Sequence, residues 1–400
     1  MAGASQKVII NYSLSLEITT IIDTGYCMKH RILILLEAIV LSMFNYSCSN
    51  NVRFYQVDEI VSYEIGNNLD TLQGELVYQP DDQMGLCGLE CIDSLVVLFS
   101  NKDDSLVLIY DIPQDSIIAH FGRYGNARNE LLGSIRYCQM DHDGDGNVIM
   151  HIQDENRMKM INYNLTKSIR DNGLVYSNSF EYSLDNSNVD RYRCYAVGGN
   201  DYILHKGISG DGDVRDGFSN PPCVITTKEN KQVMSVYPQI VSGDDRYLRY
   251  AYNIMSQIKP DHSKIVEVHG NIGLFTIMNL VSHKTIGVKN EASYDFNHLD
   301  NLGKIKDDSK FDKLFIYNTC CNVSADYIVI CQDGQLSMSE YEKVFMYKPT
   351  ISVFNWEGQL LGSFAVREPI AGVAIAQEGK CLYGLGMDNC LYKYNLSKYI

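Results

Sequence analysis

The chain of 400 residues has a single tryptophan, Trp356, and eight prolines, and it is short of basic side chains: 34 Lys and Arg stand against 49 Asp and Glu, a formal charge of −15. An acidic surface repels phosphate backbones, so nucleic acid is excluded as a partner. There is no membrane-spanning run. The N-terminal apolar stretch, Ile32 to Phe44, is thirteen residues with Glu37 in its middle, whereas a span needs about 20 apolar residues and an acidic residue at bilayer depth costs about 2.5–3.5 kcal/mol. No Cys-x-x-Cys, His-x-His, His-Glu-x-x-His, Gly-x-Ser-x-Gly or phosphate-cradling glycine loop occurs. The sequence therefore carries no signature of a zinc centre, an acyl-transfer elbow or a nucleotide site. Helical periodicity is almost absent too, which leaves short β-type runs.

What is present begins with Met28-Lys29-His30-Arg31, the apolar run, and Asn45-Tyr46-Ser47-Cys48. A charged segment, a short greasy segment and a small residue before cysteine are the parts of a lipoprotein signal. Residues 1–27 read as an upstream start-site extension, 28–48 as the signal and 49–400 as the folded part. Cys48 is then the lipidated first residue. The mature protein is expected at the periplasmic or outer surface of a Gram-negative cell, touching membrane only through its lipid, and as a monomer. Residues 1–48 hold Lys7, Lys29 and Arg31 against Glu17, Asp23 and Glu37, so the folded part keeps the whole charge of −15. Cys27 and Cys48 fall outside that part. Its remaining cysteines sit in apolar runs such as Ile328-Val329-Ile330-Cys331 and read as buried thiols, with Cys87 and Cys91 the pair placed best for a bridge or a ligand.

A turn followed by a buried strand recurs at Asp93, Gly146, Asp201, Ser263, Asp326 and Gly379, separated by 53, 55, 62, 63 and 53 residues. Six anchors at that spacing predict six four-stranded units that bury their faces by radial stacking, an all-β, six-bladed propeller. Third strands end in an aromatic and a turn, as in Leu108-Ile109-Tyr110-Asp111 and Leu391-Tyr392-Lys393-Tyr394. The chain stops just after the last of these, so the spare strands between Val52 and Gln79 are predicted to supply the strand that completes the final blade and removes its open edge.

Ile117-Ile118-Ala119-His120-Phe121-Gly122-Arg123-Tyr124-Gly125 with Asn129-Glu130-Leu131, the turn Ile258-Lys259-Pro260-Asp261-His262-Ser263-Lys264, and the ending Ile351-Ser352-Val353-Phe354-Asn355-Trp356-Glu357-Gly358 resemble motifs of the TolB-like six-bladed propeller lipoproteins of Bacteroidetes. The likeness covers roughly residues 49–400. It implies the fold and the address and says little about activity, because a fold does not fix a function.

Asp141-His142-Asp143-Gly144-Asp145-Gly146-Asn147 matches the start of a calcium loop, and Asp141, Asp143 and Asp145 are the carboxylates it would use. The twelfth position is Ile152 rather than Glu, so a polar hairpin turn is the competing reading. Calcium is the one cofactor the pattern admits. Strand alternation puts second-to-third-strand loops and inter-blade connections on one face. They carry Arg123, Tyr124, Arg128 and Glu130, then Arg215, Arg246, Tyr247 and Tyr341. Loops on a rigid scaffold are where function concentrates. A non-catalytic binding or scaffolding module, with a protein or glycan ligand on this face, is the leading expectation. A calcium-dependent, lactonase-like hydrolase with its metal in the tunnel is the alternative. Metabolic labelling with a palmitate analogue tests the anchor: Cys48→Ala should abolish incorporation, and unchanged labelling would refute lipidation there.

Overall fold

Strands that are apolar on both faces need cover on both sides. Leu95–Ser100 and Val148–Asp154 are of this kind, buried nearly throughout. The computed structural model describes residues 57–80, 85–133, 135, 138–182, 191–197, 202–207, 224–226, 232–234, 254–271, 273–291, 315–337, 349–376 and 378–400. Cys48 and the N-terminal segments discussed above lie outside them.

The strands form six sheets. The first contains β4 (Leu86–Ile92), β5 (Leu95–Ser100), β6 (Val107–Asp111) and β7 (Ser116–Phe121); the second β8 (Cys138–His142), β9 (Val148–Asp154), β10 (Lys159–Asn164) and β11 (Tyr176–Glu181). The third contains β12 (Arg191–Ala196), β13 (Tyr202–Gly207), β14 (Val224–Thr226) and β15 (Gln232–Met234); the fourth β16 (Ile254–Ile258), β17 (Lys264–His269), β18 (Leu274–Asn279) and β19 (Thr285–Asn290). The fifth has β20 (Phe315–Val323), β21 (Tyr327–Ser337), β22 (Thr350–Asn355) and β23 (Leu360–Val366), and the last β24 (Ile370–Ile375), β25 (Cys381–Gly386) and β26 (Leu391–Asn395). Five of these sheets have continuous antiparallel ladders. In the third, β13 meets β14 at one Cα pair, Leu204 with Thr226. The only helix among the described residues is α1 (Leu165–Asp171), capped by the Asn164 side chain on the Lys167 N–H and ended by Asn172 in the left-handed conformation.

Consecutive sheets share cores. Val97, Ile109, Met150 and Ile161 belong to the core between the first two sheets. Phe180 stacks on Tyr202 between the second and third, and Tyr195 joins Ile265 and Met278 between the third and fourth. Phe275 and Phe354 meet between the fourth and fifth, Phe364 and Leu382 between the fifth and last, and Tyr383 with Tyr110 between the last and first. The architecture is an all-β propeller with almost no helix, five of its blades complete among the described residues.

The repeat anchors mark real boundaries: the described ones, Asp93, Gly146, Ser263, Asp326 and Gly379, all lie at turns between first and second strands. Closure follows the expected route. β3 (Glu75–Tyr78) pairs antiparallel with β26, Leu391 opposite Tyr78 and Lys393 opposite Glu75. The other two spare strands go where sequence reading gives no sign. β1 (Glu59–Tyr63) adds a parallel strand to β19, and β2 (Thr71–Leu72) adds one to β23. The segment from 59 to 78 thus edges three sheets in turn. Tyr63 anchors it: the ring packs on Phe354 and the hydroxyl accepts from Gln332 Nε2 at 2.6 Å.

The strand-end tyrosines Tyr110, Tyr163, Tyr383 and Tyr394 are buried packing residues. Tyr163 and Tyr394 send their hydroxyls to Arg128 O at 3.2 Å and Glu368 Oε2 at 2.9 Å. All nine described cysteines are free thiols, Cys87 exposed and Cys91 half-buried. A Cys87–Cys91 bridge is ruled out by geometry, since residues four apart on β4 are about 13 Å apart, well beyond disulfide reach.

Trp356, 3% exposed, locks the fourth sheet to the fifth. Its indole N–H donates to Ser324 O at 3.1 Å, and Lys264 Nζ donates to its carbonyl at 2.9 Å. Trp356→Ala is expected to cost about 3–5 kcal/mol, measured as a lower denaturant midpoint at unchanged slope; a loss under about 1 kcal/mol would show that the junction does not depend on it.

Candidate functional site

The connection between the first two sheets, residues 122–133, is a built loop. Tyr124 and Leu131 form an isolated parallel bridge. Gly125 N–H donates to Leu131 O and Leu131 N–H to Arg123 O, at 2.9 and 3.0 Å. The loop wraps the Glu130 carboxylate, which accepts the Ala127 N–H at 2.9 Å and pairs with Arg123 at 2.8 Å. The Ala127 N–H first and then the Arg123 charge hold that carboxyl below its usual range, against burial. Gly125 is needed by close approach: a Cβ there would stand 2.6 Å from Glu130 Cδ.

Fixed this way, the loop displays Arg123, its side chain 58% exposed, and Tyr124, 37% exposed and donating its N–H to Asp103 at 2.8 Å. Arg128 lies over the Tyr176 ring, 5.2 Å from its centroid. Asn126 accepts from Arg157, which pairs with Asp154 at 3.4 Å. Between these elements is a pocket of about 160 Å³ lined by Leu131, Leu132, Gly133, Asp154, Glu155 and Asn156. Of the loop residues singled out by sequence, Arg123, Tyr124, Arg128 and Glu130 come together here. Arg215, Arg246, Tyr247 and Tyr341 lie outside the described residues.

The Asp-rich segment is built as a turn. Asp143 Oδ1 accepts the N–H groups of Asp145 and Asn147 at 2.9 and 2.8 Å, and both its oxygens take the Asn147 amide. Asp141 points elsewhere, to His262 Nε2 at 3.0 Å. A carboxylate oxygen can only accept, so His262 Nε2 carries the proton of this contact and donates it to Asp141. Among the described residues no group of three His, Cys, Asp or Glu side chains is arranged to hold a metal ion.

The first strands of the sheets surround the tunnel. β4 lies beside β8 and β24, and β20 beside β16 and β24; Gln139 on β8 grips the Ala196 backbone of β12 through both ends of its amide, and Tyr195 on β12 donates to Ser256 O on β16 at 2.7 Å. Sequence reading missed what these strands carry inward. Glu90 accepts from Asn322 Nδ2 at 2.9 Å, linking the first sheet to the fifth. Burial pushes its carboxyl up to about 7, opposed by Asn322 and by the Arg193 charge. Arg193 donates to Ser256 O. A cavity of about 100 Å³ opens between Glu90, Gln139, His151, Arg193 and Gln257. The only sequence signal was a lone acid in the apolar run Gly88-Leu89-Glu90-Cys91-Ile92.

No family model matches this chain, and no curated protein matches it. Among solved structures it is similar to a Bacteroides fragilis NCTC 9343 protein inferred to be exported, at 10% identity and a TM-score of 0.48 over 84% of this chain and 99% of that one. It is also similar to a member of the DUF4221 family from Bacteroides vulgatus ATCC 8482, at 9% identity and 0.48 over 83% and 94%.

Glu90 makes stability depend on pH. Its folded pKa of about 7 exceeds the unfolded value of about 4.3, so between these values the folded state holds a proton that the unfolded state has released. Stability therefore falls as pH rises through that window and levels off above it. Denaturant titrations at several pH values should show this decline, and Glu90→Gln should flatten it. An identical profile in the variant would remove Glu90 as its source.

Proposed function

We propose that the chain is a lipid-anchored, extracytoplasmic binding propeller of the TolB-like kind, six-bladed, and that it engages a protein partner through the loop face. The sheet count and the cores shared by successive sheets support six blades, with β12–β15 as the third. No described helix is long and apolar enough to cross a membrane, which accords with an anchor at Cys48. The observation that carries the reading is the 122–133 loop: it is fixed by its own hydrogen bonds while Arg123, Tyr124 and Arg128 stay on the surface beside a pocket. Arg and Tyr are over-represented among the residues that dominate binding energy, and a preorganised loop loses little entropy on association. A protein is favoured over a glycan because a sugar site needs several rigid aromatics grouped together, and Tyr124 is the one large exposed aromatic among the described residues.

A photo-reactive phenylalanine analogue at position 124, in living cells, tests this. A discrete adduct should form there and fail to form at Val281, which is 84% exposed on the turn between β18 and β19. Arg123→Ala with Arg128→Ala should reduce the yield several-fold. Equal adducts at both positions would refute the loop face as the binding surface, and an adduct that glycosidase removes would replace the protein with a glycan.

A further inference from the structure

The tunnel-wall cavity contains a group that none of the described residues satisfies. His151, on β9, is 8% exposed, and its Nε2 has no hydrogen-bond partner among the described residues. Its tautomer can be worked out. Nδ1 lies 2.8 Å from Asn162 Oδ1, and the Asn162 amide nitrogen donates to Asn178 Oδ1 at 2.6 Å. Asn162 therefore turns an acceptor toward the ring, the imidazole proton sits on Nδ1, and Nε2 bears a lone pair. Burial holds the ring neutral by pushing its pKa down, opposed by Asn162. The missing partner must be a donor.

The surroundings narrow its chemistry. Glu90 lines the same cavity and adds a second acceptor, with Asn322 on one oxygen. Leu89, Phe99 and Ile135 supply apolar wall. Arg193, the cation of the cavity, donates to Ser256 O. A volume of about 100 Å³ suits about four heavy atoms, in proportion to the benzene-sized cavities of about 150 Å³. The chain's charge of −15 favours entry of a cation.

The geometry points to a binding site for a small organic ammonium ion, its N–H groups donating to His151 Nε2 and the Glu90 carboxylate and its carbons resting on Leu89, Phe99 and Ile135. This site is separate from the loop face, on the wall of the tunnel, and stands whether or not the loop face binds a protein. Each interaction it uses is complementary: donors meet acceptors, methylenes meet aliphatic and aromatic side chains, and the charge of the guest opposes that of Glu90.

The test compares ethanolamine, ethylene glycol and acetate at equal concentration on the purified folded protein, above the pH range in which Glu90 titrates. The readouts are melting temperature and the ¹⁵N resonance of His151 Nε2, assigned by its loss in His151→Gln. Ethanolamine should raise the melting temperature and shift that resonance, ethylene glycol and acetate should do neither, and Glu90→Gln should weaken ethanolamine about tenfold or more, the size of a lost charge-assisted bond. Equal effects from ethylene glycol would make the site one for neutral hydroxyl compounds, and a response to acetate alone would assign it to Arg193 and an anion. No movement of the His151 resonance by any probe would leave a water-filled cavity. Each of these outcomes overturns the proposal, and the wild-type resonance decides even if a variant fails to fold.

Discussion

Ring closure is the constraint on which the rest of the structure depends. A sheet buried on both faces is stable only between two neighbours, so a row of such sheets must either expose its ends or bend into a circle. Here the last sheet has three strands of its own, and Glu75–Tyr78 supplies the fourth by pairing with β26. The same N-terminal segment also edges the fourth and fifth sheets in parallel. Those additions cover edges that would otherwise offer unpaired backbone groups, and Tyr63 ties the segment into the core between these sheets. The belt is a local solution to a global requirement.

Rigidity at the rim follows from the same economy of hydrogen bonds. The 122–133 connection has little apolar mass, yet its backbone groups bond to one another and Glu130 fills its centre. The Asp-rich turn works similarly, with Asp143 occupied by its own backbone. Carboxylates in this protein serve two ends: some satisfy turns, as Asp143 does, and others cross between sheets, as Asp141 does to His262 and Glu90 to Asn322. Sequence spacing alone does not separate the two kinds, because the distinction lies in which way each strand faces.

The turn at Lys259–Lys264 makes the same point. His262 takes the left-handed conformation there, at φ 58°, a region glycine enters freely and other residues rarely do. A non-glycine residue there costs about 1–2 kcal/mol. The imidazole meets Asp141 from a different sheet in return. A strained turn residue thereby makes a contact between the second and fourth sheets that sequence spacing does not reveal.

The sequence by itself determined the class of fold, the repeat length and the closing strand, because alternation, turn residues and a final unit one strand short are local properties of the chain. It also marked Arg123, Tyr124, Arg128 and Glu130 as rim residues, since strand direction assigns loops to a face. Tertiary structure alone decided the rest. That β1 and β2 run parallel to β19 and β23 depends on where the ring leaves its edges. That Glu90, His151 and Arg193 meet around one cavity depends on bringing together strands 42 to 103 residues apart. Such convergence leaves no periodic trace, because each residue occupies an ordinary position on its own strand and acquires its chemistry from neighbours that only the closed ring supplies.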